Sequence, residues 1–325
     1  MMKVTRRTFL AGLAGAPVLS TVAGQATAAG VETSGVALRA GGEPQMTTPS
    51  VCIFSKHLHF LSYEEMAREC KALTLDGVDL TVRRGGHVEP DRVATDLPRA
   101  VVAVRREGLD VPMITTNLNR AEDPDARPIL ETASRLGIRY FRCGGLKYDG
   151  EQNPIDQLPA FARQLRDLAV LAQEFGMTAG YHNHSGLANV GAPLWDLYRL
   201  IEWIGLESFG SNFDVGHAFV EGGLGAWEIN TRLLAPHIKM MAVKDFVWEN
   251  NRVRWTTLGQ GHVRLAECLR IVQRSGFAGP ISLHFEYKTP TREALFDEIR
   301  SSAAVLRQAM AEGGFDIRSP FKVST

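Results

Sequence analysis

The sequence has no excess of charge of either sign, and this absence narrows the classes of partner that we expect. Its 325 residues carry 36 basic and 36 acidic side chains, so the formal net charge is zero. A chain without a basic surplus has no general electrostatic attraction for nucleic acid or for an anionic membrane. We therefore expect a small polar molecule as the partner, and no nucleic acid.

The sequence also lacks CxxC cysteine motifs and glycine-rich phosphate-binding loops. Gly144-Gly145 and Gly222-Gly223 fit neither the GxGxxG nor the GxxxxGK pattern, which makes a nucleotide-binding Rossmann domain the weaker alternative fold. The four cysteines show no CxxC spacing and stand in apolar strand-like or helix-like runs: Cys52, Cys70, Cys143 and Cys268. They predict buried thiols, and pairing after export is the alternative.

The N-terminus differs from the rest of the chain. Arg6 and Arg7 stand in a twin-arginine pattern, and the mildly apolar stretch Phe9–Gly24 follows them. Ala26–Ala28 supplies the small residues that a signal peptidase requires. The apolar stretch is short, rich in glycine and interrupted by Pro17, so it is poorly suited to span a bilayer. We predict an export signal; a retained membrane anchor is the alternative.

These features predict a periplasmic protein, exported by the twin-arginine route, with no membrane association after processing. The predicted divisions are a signal peptide over residues 1–28, a linker over 29–48, one folded domain over 49–315 and a tail over 316–325. Proteins exported by this route are already folded and often carry a cofactor. The route therefore mildly favours a bound metal ion or other prosthetic group.

From residue 50 the chain alternates between short β-rich runs and segments with helical periodicity. Ser62 and Glu65 open the first helical segment as a capping box. Repeated strand–helix units imply a parallel sheet, and eight of them fit an α/β fold with a single (β/α)8 TIM barrel. The predicted strands are Val51–Phe54, Gly77–Val82, Val111–Thr116, Ile138–Cys143, Thr178–His182, Phe209–Asp214, Ile238–Lys244 and Pro280–Glu286.

Polar side chains close these strands, and in such a barrel the strand ends meet at one mouth. The alternation of side chains along a strand turns His182, Asp214 and Glu286 toward the same space. One imidazole and two carboxylates suit a divalent metal ion, Mn²⁺, Zn²⁺, Co²⁺ or Mg²⁺, and we predict one per chain. The alternative is a set of hydrogen-bonded polar groups in the core.

Other polar residues near the mouth are candidates for substrate binding through hydroxyl groups or a carboxylate. The candidates are Lys56, Arg83, Asn117, Arg142 and His184. The alternative for each arginine is an ion pair with an acid at a strand end. Trp248 and Trp255 are candidates for stacking on a sugar ring or for a subunit contact, and these two readings remain open.

Five motifs in this order resemble the xylose isomerase-like TIM barrel superfamily, which includes sugar phosphate isomerases and epimerases and enzymes of the AP endonuclease family 2 type. The resemblance covers roughly residues 50–310. The motifs are Tyr181–His184, Phe213–His217, Val243–Asp245, Leu258–Gly261 and Glu286. The resemblance implies that His217 contacts substrate oxygens.

The resemblance also implies a metal site with ligands from strands 5 to 8, and this chain departs from it. Asp214 and Glu286 match the pattern, His182 replaces a glutamate, and Ala242 stands where a histidine is usual. Four alternatives remain for the missing ligand. His217, His284 or a water completes the shell, or Lys244 takes the vacancy and the site holds no metal.

With only one of two acid/base glutamates retained, the resemblance favours chemistry that needs a single base. We expect an isomerase or epimerase, or a keto-sugar lyase or dehydratase, acting on an unphosphorylated sugar or cyclitol through an enediolate, with Glu286 as base and Lys244 as acid. For Lys244, a simple ion pair is the alternative.

Two other functions are weaker. An endonuclease is opposed by the neutral charge and by export. A non-catalytic periplasmic sugar-binding barrel with a degenerate metal site is supported by Ala242. Barrels of this class often dimerise, so a homodimer is an open prediction without a located interface.

Overall fold

Eight parallel strands close into a barrel in the computed structural model, which describes residues 48–317. The order around the barrel is β1-β10-β7-β6-β5-β4-β3-β2, and the predicted single (β/α)8 barrel is confirmed. The barrel strands are β1 Val51–Phe54, β2 Gly77–Thr81, β3 Asp110–Thr115, β4 Tyr140–Cys143, β5 Thr178–His182, β6 Phe209–Asp214, β7 Ile238–Val243 and β10 Ile281–Leu283.

Helices pack around the outside of this barrel and bury their apolar stripes against it. The first one begins with the predicted capping box, in which Ser62 and Glu65 satisfy each other's backbone N–H groups. The helices are α1 Tyr63–Ala72, α2 Val93–Arg106, α3 Ala126–Arg135, α4 Pro154–Glu174, α5 Trp195–Ile204, α6 Val215–Gly222, α7 Ala226–Leu234, α8 Leu265–Arg274 and α9 Arg292–Glu312.

Four predicted strands are shorter in the structure than the sequence indicated: β2, β4, β7 and β10. The differences at β7 and β10 concern candidate site residues at the mouth. β10 ends at Leu283, where its pairing with β1 and β7 stops, so Glu286 lies three residues beyond the strand. β7 ends at Val243, and Lys244 follows it directly. Both side chains therefore lie on the loops above the barrel.

An unpredicted hairpin follows β7. Its strands β8 (Asp245–Glu249) and β9 (Arg252–Thr256) pair antiparallel. Asn250 and Asn251 connect them with φ of 51° and 58°, as a two-residue type I′ turn requires. The Asn-Asn pair between alternating residues is the sequence signal that identifies this hairpin.

Asp245, the last residue of the Lys-Asp motif, holds the glycine loop that the sequence singled out. Its carboxylate accepts backbone N–H groups of Gly259 and Gly261 at 3.0 and 2.9 Å, and of Val263 at 3.0 Å. A Cβ at position 261 would lie 2.2 Å from Asp245 Oδ1, so only glycine fits there. Asp245 therefore has a structural role.

The predicted state of the cysteines is confirmed: all four are buried and free. Among the described helices, none is both long and apolar enough to cross a bilayer. The predicted signal peptide, nearly all of the linker and most of the tail lie outside the described residues. The domain boundaries, the export route and the periplasmic location therefore stay predictions.

Candidate active site at the barrel mouth

Lys244 lies at the centre of a group of charged and polar side chains at the mouth. Its Nζ is 3.1 Å from Asp214 Oδ2, 3.0 Å from Glu286 Oε1 and 2.7 Å from His217 Nε2. His182 completes the group, with its Nε2 3.6 Å from Asp214 Oδ2. We call these five residues the lysine cluster. The structure thus brings all three predicted metal ligands and both predicted catalytic residues together.

Asp214 is held by hydrogen bonds to both its backbone and its side chain. The side-chain amide of Asn183 donates to the Asp214 carbonyl at 3.0 Å and accepts from its N–H at 2.7 Å, which joins the ends of β5 and β6. Asp214 Oδ1 caps α6 by accepting the His217 N–H at 2.9 Å. Burial raises the pKa of Asp214, but the Lys244 charge, His217, His284 and the hydrogen bond from the His217 N–H together outweigh burial and leave a pKa of about 2.

His217 accepts a hydrogen bond from the Lys244 ammonium through Nε2, so its proton resides on Nδ1. That Nδ1 lies 2.8 Å from Ser185 Oγ and donates to it. Burial is the main cause that lowers the pKa of His217 to about 3; Asp214 opposes the shift, and Lys244 adds to it. His217 is therefore neutral near pH 7, and it orients the lysine.

Glu286 is the accessible carboxylate of the cluster. Its side chain is 32% exposed, whereas the side chains of Asp214 and Lys244 are at most 2% exposed. Burial raises the pKa of Glu286, but the charge of Lys244, the hydrogen bond between the two side chains and His284 together outweigh burial and lower the pKa to about 2. A molecule that enters the mouth therefore meets an ionised Glu286 before it reaches the lysine beneath.

A row of three rings runs across the barrel from the cluster. His284 stacks on His182 with centroids 5.8 Å apart, and on Phe54 with centroids 4.4 Å apart. Burial lowers the pKa of both histidines, so both are neutral. Within the described residues, His182 Nδ1 and His284 Nε2 make no hydrogen bond, and buried polar atoms of this kind favour a polar ligand.

Two arginines lie at the other end of this row. The Cζ atoms of Arg83 and Arg142 lie 5.4 and 6.0 Å from the centroid of the Phe54 ring. Their guanidinium groups form neither an ion pair within 4.0 Å nor a hydrogen bond with any residue between 48 and 317. We call these two residues the arginine pair.

Asp79 is a buried carboxylate of the barrel interior that the sequence analysis missed. It accepts hydrogen bonds from Thr115 at 2.7 Å and Ser282 at 2.9 Å, and its Oδ2 lies 3.7 Å from His284 Nε2. Both of its oxygens are therefore in use. A charged residue in the middle of β2, on the inward-facing alternation, was the signal for it.

The other sequence candidates separate into two groups. The ring of His184 lies 3.8 Å from that of His217, and the ring of Trp255 lies 4.6 Å from Lys244 Nζ, so both border the cluster. Trp248 lies on the hairpin and is 47% exposed. Lys56 and Asn117 are exposed and form no side-chain hydrogen bond with the described residues. They remain predictions for substrate binding.

Whether these residues suit a divalent metal ion depends on Lys244. Ligand atoms of His182, Asp214 and His217 lie within 4.8 Å of one another, so the donor types for such an ion are present. The Lys244 ammonium, however, already contacts Asp214 and His217, and an ion held by them would share its space. Ala242, between Asp214 and Ser282 in the sheet, offers no ligand. The arrangement as folded does not fit a metal ion together with the lysine.

Comparison with solved structures shows the same fold in other proteins. A xylose isomerase domain protein from Alicyclobacillus acidocaldarius subsp. acidocaldarius is 18% identical, with a TM-score of 0.67 over 82% of this chain and 99% of that one. An L-ribulose 3-epimerase is 16% identical, with a TM-score of 0.63 over 82% and 95%. A xylose isomerase-like TIM barrel protein from Mycobacterium smegmatis, in complex with magnesium, is 14% identical, with a TM-score of 0.64 over 82% and 98%.

A search of curated proteins gave no match. The model of the family described as xylose isomerase-like TIM barrel matches residues 67–309 of this chain. That range includes every barrel strand except β1. The chain therefore belongs to the xylose isomerase-like TIM barrel family.

Proposed function

We propose that this protein is a sugar isomerase, epimerase or lyase that removes a proton from a carbon next to a carbonyl group. The observation that carries the proposal is the Lys244 ammonium, held between buried Asp214 and accessible Glu286. A fixed cation and an accessible carboxylate at one mouth are the two groups that enolisation requires. The epimerase with the same fold supports this class of reaction.

Lys244 is the group that stabilises negative charge. A substrate carbonyl oxygen that replaces Glu286 beside the ammonium receives a hydrogen bond from it, and the bond strengthens as the oxygen becomes an enolate. Asp214 and His217 hold the lysine from below and prevent it from following the substrate. The stabilising charge is therefore in place before the reaction begins.

Glu286 is the base. It takes the proton from the carbon, the electrons of the C–H bond form the enediolate, and the negative charge settles on the oxygen beside Lys244. Return of this proton to the neighbouring carbon, with transfer of the hydroxyl proton from that carbonyl-forming oxygen to the oxygen beside Lys244, gives the isomer. Alternatively, the hydroxyl group one carbon further leaves as water with the proton that Glu286 took, which gives the elimination product. Neutral His182 offers no second carboxylate, which favours these outcomes over two-base epimerisation.

The predicted export signal bears on the substrate. Sugar phosphates are cytoplasmic, so a periplasmic enzyme acts on an unphosphorylated sugar, oxidised sugar or cyclitol. We propose the periplasm as the location on this ground and on the twin-arginine pattern at Arg6 and Arg7.

A metal-assisted form of the same reaction is the second candidate. The ligand atoms of His182, Asp214 and His217 that lie within 4.8 Å of one another favour it, as does the magnesium complex with the same fold. These three residues would hold the ion, with Glu286 as the further ligand that the sequence predicts, and Lys244 would have to leave Asp214 and His217. A divalent ion would then polarise the carbonyl as a Lewis acid.

The test is hydrogen exchange in D₂O with the mature protein and a panel of unphosphorylated aldoses, ketoses, keto-sugars and cyclitols, followed by NMR, with elemental analysis of the same sample. Deuterium should enter next to the carbonyl, at a rate that chelators leave unchanged. Exchange that a chelator abolishes and a divalent ion restores would establish the metal-assisted form. Binding of a sugar without exchange would contradict the proposal and leave a sugar-binding barrel.

A further inference from the structure

We propose that the substrate is a sugar acid whose carboxylate is bound by the arginine pair, Arg83 and Arg142. This inference rests on the proposed function, because it names the substrate class of the same site. It goes beyond a general sugar, which requires no cation at this position.

The first observation is that two like charges lie together and no carboxylate of the described residues is paired with either of them. Both guanidinium groups lie within 6.0 Å of one ring centroid, that of Phe54, and neither forms an ion pair with a described residue. Burial is the main cause that lowers the pKa of Arg142; the charge of Asp79 opposes this shift, and the charge of Arg83 adds to it. Both side chains are half-buried, so each cation has lost part of its contact with water without gaining an ion pair, and an anion between them would offset that loss.

Asp79, the nearby carboxylate, acts on the two arginines only from a distance. Its charge raises the pKa of both, but its oxygens accept from Thr115 and Ser282 inside the barrel, and no arginine nitrogen of the described residues lies within 4.0 Å of them. The carboxylates of the lysine cluster are likewise engaged with Lys244. The anion that pairs with the two arginines has to come from a ligand.

The second observation is the position of the arginine pair relative to Lys244. Arg83 follows β2 and Arg142 lies in β4, so the pair stands on either side of β3, and in the order around the barrel β3 is opposite β7. Lys244 directly follows β7. A ligand across the mouth therefore has an anion-binding end at the arginines and an electrophilic end at the lysine.

Sugar acids match this arrangement of an anion-binding end and an electrophilic end. Open-chain uronates carry a carboxylate at one end and a carbonyl at the other, and two guanidinium groups recognise a carboxylate through charge-assisted, often bidentate, hydrogen bonds. The carbon that loses its proton would then lie near Glu286, because the bound carboxylate fixes the position of the sugar's carbon chain. The arginine pair selects the substrate by its carboxylate, and the lysine cluster performs the chemistry.

The test compares ligands that differ only at C6. Binding of D-glucuronate and D-galacturonate is measured by calorimetry against D-glucose and D-galactose. We expect each acid to bind at least about tenfold more tightly than its neutral partner, as one charge-assisted contact provides. The preference should weaken with added salt and be lost in Arg83→Gln and Arg142→Gln.

Arg84→Gln is the matched control, because Arg84 is the exposed neighbour of Arg83 and should leave the preference unchanged. Arg142→Lys distinguishes loss of carboxylate binding from loss of folding. It keeps the charge but loses the planar guanidinium, so it should reduce the preference only in part.

Hydrogen exchange in D₂O with the same four sugars separates the two proposals. If neutral sugars exchange and the acids bind no better, the carboxylate site is overturned and the proposed function stands. If the acids bind through the arginines without exchange, the site is supported and the proposed function fails. If none of the four sugars binds, the carboxylate proposal is overturned.

Discussion

The two sides of the barrel mouth balance their charges differently. In the lysine cluster, one ammonium lies between two carboxylates, and the surrounding imidazoles are neutral. In the arginine pair, two guanidinium groups face one phenyl ring and no carboxylate pairs with them within the described chain. The described chain supplies carboxylates that pair with the charge of Lys244, and it supplies none that pairs with the arginines.

This difference separates structural from binding roles. A buried charge with a partner stabilises the fold only weakly, but removal of that partner is strongly destabilising. Unpaired charges, in contrast, lower stability and persist where a ligand needs them. Substitutions on the two sides should therefore have opposite effects on stability.

The largest expected effect is on turnover, from loss of the base. Glu286→Gln should lower the exchange rate roughly 10²–10⁴-fold for the sugar that wild type exchanges fastest, since the amide cannot accept the proton. Glu293→Gln, on an exposed turn of α9, is the control. A rate within a factor of three of wild type would remove Glu286 from the mechanism.

The second effect is on stability, from loss of the central cation. Lys244→Met should lower the free energy of unfolding by about 3–5 kcal/mol, because Asp214 stays buried without its partner. Urea denaturation measures this. Lys239→Met, near the start of β7 in a surface pair with Glu207, should cost less than about 1 kcal/mol.

A double variant separates the two roles of the lysine. Lys244→Met combined with Asp214→Asn should recover most of the stability and none of the exchange activity. Recovery of activity would show that Lys244 only neutralises Asp214.

The third effect is the pH dependence of stability, to which His217 of the lysine cluster contributes. The pKa of folded His217 is about 3, against an ordinary value of 6.5, so protonation favours the unfolded chain. Its contribution to stability is complete above pH 6.5 and is lost as pH falls toward 3, at about 1.4 kcal/mol per pH unit. Urea titrations between pH 6 and 4 give the slope of the unfolding free energy against pH. His217→Gln should reduce this slope by the amount that corresponds to about one proton; an unchanged slope would contradict a neutral His217.

The smallest effect should come from the arginine pair. Arg142→Met keeps much of the side-chain volume and removes one of two repelling charges, so stability should stay within about 0.5 kcal/mol of wild type or rise slightly. Thermal unfolding is the measurement, with Lys244→Met as the contrast. A loss above about 2 kcal/mol would show that Arg142 is structurally paired.

Much of the fold was evident in the sequence because strand and helix periods are local. The runs at β1, β5 and β6 agree with the structure at both ends, since apolar residues and following turns bound them. The ends at Lys244 and Glu286 were placed too far along, because strand length depends on pairing with neighbours. The hairpin after β7 was missed although Asn250 and Asn251 carry its turn signal.

The sequence also determined which residues meet at the mouth, because parallel strands bring their ends together and alternation selects the inward face. His182, Asp214, Lys244 and Glu286 were identified on this basis. Their pairing was not, since ion pairs depend on distances of a few ångströms between side chains from different strands. Only the tertiary structure showed that Lys244 occupies the centre of the cluster, and that no carboxylate among residues 48–317 forms an ion pair with Arg83 or Arg142.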